Sequence, residues 1–460
     1  MRGKNDSGRG LIKLKLYNYL TKKIEEFKSI GQTVGLYTCG PTVYDFVHIG
    51  NWRTFIFEDI LKRVLLFNGY KVKHVMNITD IDDKIIKGSR EQGIGFRELA
   101  QKYEKAFFED LEKLNIFRAD LYPRATNNIS SMIQIIELLL KKGFAYKGND
   151  GVYFAVEKFK DYGKLSGLSK RNLKKGARID SDQYNKESWS DFALWKFQKG
   201  DEASWDAPFG KGRPGWHIEC SAMAQEYLGA TIDIHTGGVD LLFPHHENEI
   251  AQSEAATGKQ FVNFWLEGEH LLVEGEKMSK SLGNFYTLEQ VSSWTKDHPL
   301  ALRYLFLTAH YRSKLNFTRG SLDSSLRALI TLQVSVKNWK ATISNKGNIV
   351  NKFRDEFLNA INNDLDMPKA VAILWKLVKS KELNEDKLET ILDFDSVLGL
   401  GFADLQKDEL PERAKKLIDK REQLRSEGKF EESDKLRKEL QEMGVFVEDT
   451  PSGPKWKFKK

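Results

Sequence analysis

Two cysteines, Cys39 and Cys220, are all that the 460 residues contain. No disulfide framework can be built from so few thiols, and a structural bridge is not expected in a chain without an export signal. No apolar run approaches the length of a membrane span; the longest, around Met132–Leu140, is broken by Gln134 and Glu137. The first residues, Met1–Lys13, are basic, polar and glycine-rich, without the apolar segment of a secretory signal. They read as a disordered extension, and the chain is expected to stay in the cytoplasm with no membrane partner. Internal repeats and extended low-complexity segments are also missing. Neither sign of charge dominates: 72 Lys+Arg against 65 Asp+Glu leave +7, compatible with a polyanionic partner but too little to argue for one. What is present is 40% apolar and 30% charged residues, enough at this length to bury a large core divided among two to four domains.

The β-rich run Thr33–Cys39 ends in Gly40-Pro41, the helix-forming segment Trp52–Phe67 follows a loop, and Val72–Ile78 reads as the next strand. Strand–loop–helix–strand implies a parallel α/β nucleotide-binding unit with its ligand at the carboxyl ends of the strands. From about 120 to 214 the pattern loosens, with Gly, Lys, Ser and Asp clustered at Gly163–Lys186, and is read as an insertion. Alternation resumes at Thr231–Thr236 and Phe261–Leu266. Helical patterns then cover Ser321–Ile343, Asn351–Asn362 and Pro368–Lys379, the last started by Asp366 and Pro368. The tail Glu409–Met443 is a charged helical stretch broken at Gly428, followed by short strands at Val445–Glu448 and Lys455–Phe458. The expected domains are 1–13 as extension, 14–320 catalytic with the insertion, 321–405 a helical bundle, and 406–460 a small α+β domain.

Three constellations carry chemistry. Where the first strand gives way to the first long helix stands Cys39-Gly-Pro-Thr-Val-Tyr-Asp-Phe-Val-His48-Ile-Gly50-Asn51. Backbone N–H groups and the helix dipole make that place a natural phosphate site. Gly50 lets a ligand approach the backbone, and His48 and Asn51 can donate hydrogen bonds to a transferring phosphate. The second constellation is Lys277-Met278-Ser279-Lys280-Ser281. Its two lysines suit a loop closing over a triphosphate, where ammonium groups stabilise charge developing at the α-phosphate and on leaving pyrophosphate. Each alone also reads as an ordinary surface loop. In the third, Gly215–Met223 (GWHIECSAM) precedes Phe243-Pro-His245-His246-Glu247-Asn248-Glu249. His245 and Glu249, four apart, share one face of a helix. With Cys39 and Cys220 they offer two sulfurs, one nitrogen and one oxygen, a set that suits tetrahedral Zn²⁺. These are not the closely paired ligands of a local finger, and spacing leaves His246 open as a competing ligand.

An HIGH-like tetrapeptide followed by KMSKS resembles the class I aminoacyl-tRNA synthetases. The stretches FPHHENEIAQSE (Phe243–Glu254), NITDIDDKII (Asn77–Ile86), GWHIECSAM and YTCGPTVYD (Tyr37–Asp45) are similar to the cysteinyl-tRNA synthetase family, and the resemblance runs from about Leu14 to Lys460. It implies a class I Rossmann-like parallel-sheet catalytic domain with an insertion, then a helical anticodon-binding bundle and a small α+β C-terminal domain. It implies one Zn²⁺ per chain held by Cys39, Cys220, His245 and Glu249, with the substrate sulfur binding the zinc. ATP with Mg²⁺, L-cysteine and tRNA(Cys) are the implied substrates, and a monomer suffices. The phosphates fall to His48, Gly50, Asn51, Lys277 and Lys280. Gly40, Thr79, Trp216 and Asp240 are expected to line the amino-acid pocket, though core packing explains Trp216 equally well. One departure is Asn51, where the HIGH pattern has histidine: it can still donate a hydrogen bond but cannot carry charge.

Zinc answers a selectivity problem. A hydrophobic pocket gains only about 1–3 kcal/mol from a methylene-sized difference, whereas thiolate is a far better zinc ligand than a neutral hydroxyl. For the tail, a G-C-A anticodon suggests Arg425 on a guanine edge, Asp434 or Asp449 accepting from the cytosine amino group, and Trp456 stacking on an unpaired base. A solvated charged helix with a packed Trp accounts for the same residues. Two rivals compete: a ligase joining cysteine to an amino-sugar, which would lack the complete tail, and a non-catalytic tRNA-binding protein, which would have lost His48 or the KMSKS lysines. All of these are present.

Overall fold

The computed structural model describes residues 13–167, 173–179, 189–278, 283–406, 412–443, 445–450 and 453–458. All but Lys13 of the expected N-terminal extension lies outside the described residues, as does Lys280.

Four strands, β1 (Thr33–Thr38), β2 (Lys71–Met76), β3 (Ile232–Gly238) and β4 (Val262–Gly268), form an all-parallel sheet in the order β4–β3–β1–β2. Parallel strands covered on both faces are buried along their length, and β3 is buried at all seven positions although it includes Asp233 and His235. Asp233 is satisfied by the backbone N–H groups of Ile30 and Gly35, at 2.6 and 2.8 Å. The chain leaves β1 toward one side for β2 and later returns on the other side for β3. Strand order therefore reverses between β1 and β3, where open α/β sheets form a ligand crevice at the strands' carboxyl ends.

Helix α1 (Ile49–Phe67) connects β1 to β2, α2 (Trp216–Leu228) leads into β3, and α3 (Glu247–Thr257) connects β3 to β4. Helix α1 is buried nearly all round, charged residues included. Within it Asp59 binds Arg63 at 2.7 Å and Arg303, from the helix Leu300–Leu307, at 2.5 Å. Between β2 and α2 come further helices and then a mostly antiparallel sheet built from Ala145–Lys147, Gly151–Phe154, Trp189–Phe197 and Gly212–Pro214, with Leu173–Ile179 parallel to one strand. Leu121 and Arg124, at the start of the stretch read as an insertion, make isolated parallel bridges to Val75 and Ile78 and so extend the main sheet.

Beyond a short strand, Leu315–Phe317, the helices Arg319–Thr342, Asn351–Ile361 and Met367–Lys379 fall where periodicity predicts them, and a further helix, Asn384–Leu398, follows. Asp366 caps the third by accepting from Lys369 N, with Pro in the first turn. Residues 344–404 belong to the same compact unit as the parallel sheet. Arg303 donates to Leu398 O at 2.7 Å, Arg63 to Ser396 O at 3.2 Å, and the amides of Asn68 and Asn362 bond each other reciprocally at 2.8 Å. A second unit comprises 336–343 and 405–460. Its helices Glu412–Ser426 and Phe430–Glu442 are separated at Gly428, whose φ of +75° suits glycine. The strands Val445–Thr450 and Gly453–Phe458 follow as an antiparallel pair.

Candidate active site

The β1–α1 turn and the segment after KMSKS meet at the N-terminus of α1. His48 is the N-cap, its Nδ1 accepting from Asn51 N at 3.2 Å, so in the neutral ring the hydrogen sits on Nε2. Ile49 N donates to Tyr286 O at 2.9 Å, and His48 makes an antiparallel bridge with Thr287. Phe285 packs edge-on against the His48 ring, with centroids 4.5 Å apart. A Cβ on Gly50 would lie 3.0 Å from the His48 ring and 3.2 Å from Met278 Cε, so the absence of a side chain there is what lets these groups close on the helix start. Lys277 is exposed in a short strand, Glu276–Lys277, paired with Leu271–Val273, and its carbonyl accepts from Asn284 at 3.2 Å.

A cavity of about 260 Å³ opens here and extends to the carboxyl ends of β1 and β3. His48 and Asn51 line it together with Cys39, Cys220 and His245. The four expected metal ligands are brought together from four places: the end of β1, helix α2, the turn before α3, and α3 itself. One donor atom from each of Cys39, Cys220, His245 and Glu249 lies within 4.8 Å of the others, all buried. The sulfurs are 4.0 Å apart, and His245 Nε2 is 3.1 Å from Glu249 Oε1. Tetrahedral bonds of about 2.0–2.3 Å put ligands roughly 3.3–3.8 Å apart, so the donor set fits a divalent ion with little adjustment. His245 Nδ1 faces His217 Nδ1 at 2.8 Å, which turns Nε2 inward.

The charges suit a cation. Burial acts to raise the Glu249 carboxyl, but His235 and His245 outweigh it and hold it below the ordinary range, so it is a carboxylate. Burial drives His245 well below 6.5, so its ring is neutral and able to ligate. Burial, aided by Cys220, pushes the Cys39 thiol well up. The Cys220 thiol is pulled down by its hydrogen bond to Cys39, yet burial and Glu249 raise it overall. His246, the competitor left open by spacing, is also close: its Nε2 is 3.5 Å from Cys39 Sγ.

The pocket expectations divide. Gly40 lines the cavity; its N–H donates to Asn77 Oδ1 at 2.9 Å, and a Cβ would fall 1.8 Å from Asn77 O, so no other residue fits. Exposed Asp240 and half-buried Trp216 line it too, the Trp216 ring 4.2 Å from that of His245 at 30°. Trp216 thus stands at the cavity and packs on His245 at once. Thr79 stands behind Asn77 of the cavity lining, whose amide donates to its hydroxyl at 3.3 Å. It is buried, its hydroxyl donates to Glu219 at 2.7 Å, and its backbone pairs with the Pro41–Val43 loop. Asn77, two residues earlier, occupies the wall instead. Sequence reading passed over Asn77, His217, His235 and Glu267. The signal was available for His235 alone, a histidine inside an otherwise apolar strand pattern.

In the second unit, Asp449 is committed elsewhere: Arg421 holds both its oxygens, at 2.7 and 2.9 Å, and Arg425 lies 3.4 Å away. Asp449 is itself exposed, so its carboxylate is held in place by the two guanidinium groups at the surface of this unit. Arg425 is half-buried and Asp434 exposed. Trp456 lies in the last strand, opposite Val447, and its side chain is outside the described residues.

Comparison with known proteins places this geometry. A family model described as the tRNA synthetases class I (C) catalytic domain matches residues 26–327, and one described as the cysteinyl-tRNA ligase anticodon binding domain matches 407–456. A cysteine–tRNA ligase of Brachyspira hyodysenteriae is 44% identical over 469 residues, covering 96% of this chain and 99% of its own. One from Chlamydia felis is 45% identical over 482 residues, covering 99% and 100%. Among solved structures, Mycobacterium tuberculosis methionyl-tRNA synthetase in complex with methionyl-adenylate superposes with a TM-score of 0.59 at 13% identity, over 80% of this chain and 90% of that one. A ternary LeuRS complex of Agrobacterium radiobacter K84 gives 0.59 at 10%, over 82% and 85%. At such identities the likeness is one of fold.

Proposed function

The chain belongs to the cysteine–tRNA ligase family of class I tRNA synthetases, and from that membership we propose how its residues divide the work. The activity is ATP-dependent activation of L-cysteine and its transfer to tRNA. In the first step the cysteine carboxylate attacks the α-phosphate of ATP, giving cysteinyl-adenylate and pyrophosphate. In the second, a terminal ribose hydroxyl of tRNA(Cys) displaces AMP.

The reading assigns Zn²⁺ to Cys39, Cys220, His245 and Glu249. The observation that carries it is the convergence of two sulfurs and an imidazole Nε2 at one wall of the cavity that His48 and Asn51 also line, with the Glu249 carboxylate buried against them. When bound, zinc supplies a borderline-soft acid that accepts a thiolate far more readily than a hydroxyl, and so separates cysteine from serine. Trp216 packs on His245 and fixes its ring. Asp240 presents a carboxylate that suits the substrate ammonium, and the backbone at Gly40 admits the substrate close to Asn77. His48, through Nε2–H, and Asn51 donate to the phosphates at the positive end of α1, with Gly50 keeping that end open. Lys277, and Lys280 beyond the described residues, neutralise charge on pyrophosphate, while Mg²⁺ accompanies ATP. Catalysis is positioning and charge stabilisation, without a covalent enzyme intermediate.

Arg425 and Asp434 remain our candidates for anticodon contact, with Trp456 as a stacking platform. The working unit is read as a cytoplasmic monomer. All four ligands come from one chain, and among the described residues no helix is long and apolar enough to cross a membrane. The deciding experiment is amino-acid-dependent ATP–pyrophosphate exchange, with cysteine and with serine, on zinc-loaded and zinc-stripped protein. Exchange with cysteine alone, lost on stripping and restored by zinc, is the expected result. Exchange that is indifferent to zinc overturns the metal assignment.

A further inference from the structure

Beneath the cavity wall, a second set of four donors converges. Cys39 Sγ, Glu249 and the imidazoles of His235 and His246 also lie within 4.8 Å of one another, all buried. The two sets share Cys39 and Glu249. Glu249 turns one oxygen to each: Oε1 is 3.1 Å from His245, and Oε2 is 2.9 Å from His235 Nε2.

Both inner histidines are oriented as ligands. His246 Nδ1 is 2.8 Å from the buried side-chain oxygen Glu267 Oε1, and its Nε2 points at Cys39 Sγ, 3.5 Å away. An imidazole that gives Nδ1–H to a fixed side-chain or backbone oxygen and aims the Nε2 lone pair inward is the usual support of a metal-bound histidine. His235 Nδ1 faces Thr236 O at 3.3 Å. A cation replaces the proton that His235 Nε2 shares with Glu249, and the ring hydrogen then sits on Nδ1, toward that carbonyl. The rings of His235 and His246 are 4.7 Å apart, held by Trp265, whose ring centroid is 4.5 Å from that of His235.

The two positions differ in access. Cys39, Cys220 and His245 belong to the cavity wall, whereas His235, His246 and Glu249 do not. An ion at the outer position can meet a substrate sulfur; one held by the inner set is enclosed by protein ligands. Closed coordination is the mark of structural sites and an open position that of catalytic ones. Both positions draw on Cys39 and Glu249, so an ion at one takes two of the other's four ligands. The positions therefore exclude each other.

We propose that His235, His246, Cys39 and Glu249 form a second, inner metal position, a closed alternative that takes divalent cations preferring imidazole to thiolate. Ni²⁺ is such a cation, while Cd²⁺, being softer, stays at the outer position with both sulfurs. An ion parked inside leaves the cavity wall without its thiol-binding acid, so the inner position acts as a non-productive trap.

The test uses the full-length, unmutated protein loaded separately with Ni²⁺ and with Cd²⁺ and examined by X-ray absorption. One sulfur and at least two imidazoles around nickel, against two sulfurs around cadmium, is the expected result. Two sulfurs around both metals overturns the proposal. In direct titrations, His246→Gln is expected to weaken Ni²⁺ binding at least ~10-fold and to leave Cd²⁺ within ~2-fold. Equal loss for both metals overturns it, and so does a loss of nickel affinity on His245→Gln that His246→Gln does not produce. The circular dichroism of each variant is matched to the parent first, and the absorption experiment stands without any variant. Failure here leaves the zinc-dependent exchange untouched, and failure of that exchange leaves the nickel geometry to be read independently.

Discussion

At the residue scale, the ligand cluster shows how burial sets protonation. With Cys39 and Cys220 both pushed above their ordinary range, both thiols are neutral at pH 7 in the metal-free protein. Glu249 is already ionised and His245 already uncharged. Zinc binding should therefore release about two protons, both from sulfur. The sign follows: affinity falls as pH falls, by roughly 100-fold per unit below the thiol pKa values. Calorimetry in buffers of different ionisation heat counts those protons, and a count near zero contradicts the assignment of thiols. Cys220→Ser should reduce cysteine-dependent exchange by at least ~100-fold, a loss of about 2.7 kcal/mol in transition-state stabilisation. A near-normal rate in that variant removes Cys220 from the site.

At the scale of elements, the active site depends on three chain ends meeting. The strand order brings the carboxyl ends of β1 and β3 together, and α1 begins where β1 stops. The segment after KMSKS is then bonded to the first turn of α1 through Ile49 and His48. Gly50 is the point of closest approach, with His48 and Met278 both near the position a Cβ would take. Gly50→Ala should push one of them aside. The expected effect is a fall in kcat of about 10-fold, equivalent to ~1.4 kcal/mol, with the KM for cysteine unchanged because the metal cluster is untouched. A rise in that KM instead would mean that the two ends of the cavity are coupled.

For the molecule as a whole, the catalytic sheet and the helices of 344–404 share one compact unit because buried charge ties them. Arg303, fully buried, binds Asp59 on α1 and the carbonyls of Leu398 and Leu114. Arg303→Met strands Asp59 without its main partner, and removing one member of a buried pair costs about 3–5 kcal/mol. Urea unfolding followed by far-ultraviolet circular dichroism measures this; a cost under ~1 kcal/mol would show that Arg63 alone suffices for Asp59. The tail makes a separate prediction, since residues 405–460 belong to the other unit. Ending the chain at Leu405 should spare pyrophosphate exchange, which needs no tRNA, and raise the KM for tRNA in charging. Loss of both together would mean that the tail is needed for folding.

Much of this protein was legible along the chain because the relevant physics is local. Apolar periodicity marked the helices from Arg319 to Lys379 to within a few residues, and Asp366 and Gly428 marked a start and a break. Donor types are also fixed by sequence, but they left His246 open beside Cys39, Cys220, His245 and Glu249, and only the family resemblance singled out those four. Which side chain turns where is not local. Thr79 is bonded to buried Glu219, and Asp449 to Arg421, partners remote in sequence that only folding brings close. The same holds for His235 and His246, whose Nε2 atoms reach the shared ligands because β3 lies beside β1 and Glu267 on β4 orients one ring. Sequence determined the chemistry on offer, and the packing of strands into one sheet decided which of it faces the substrate.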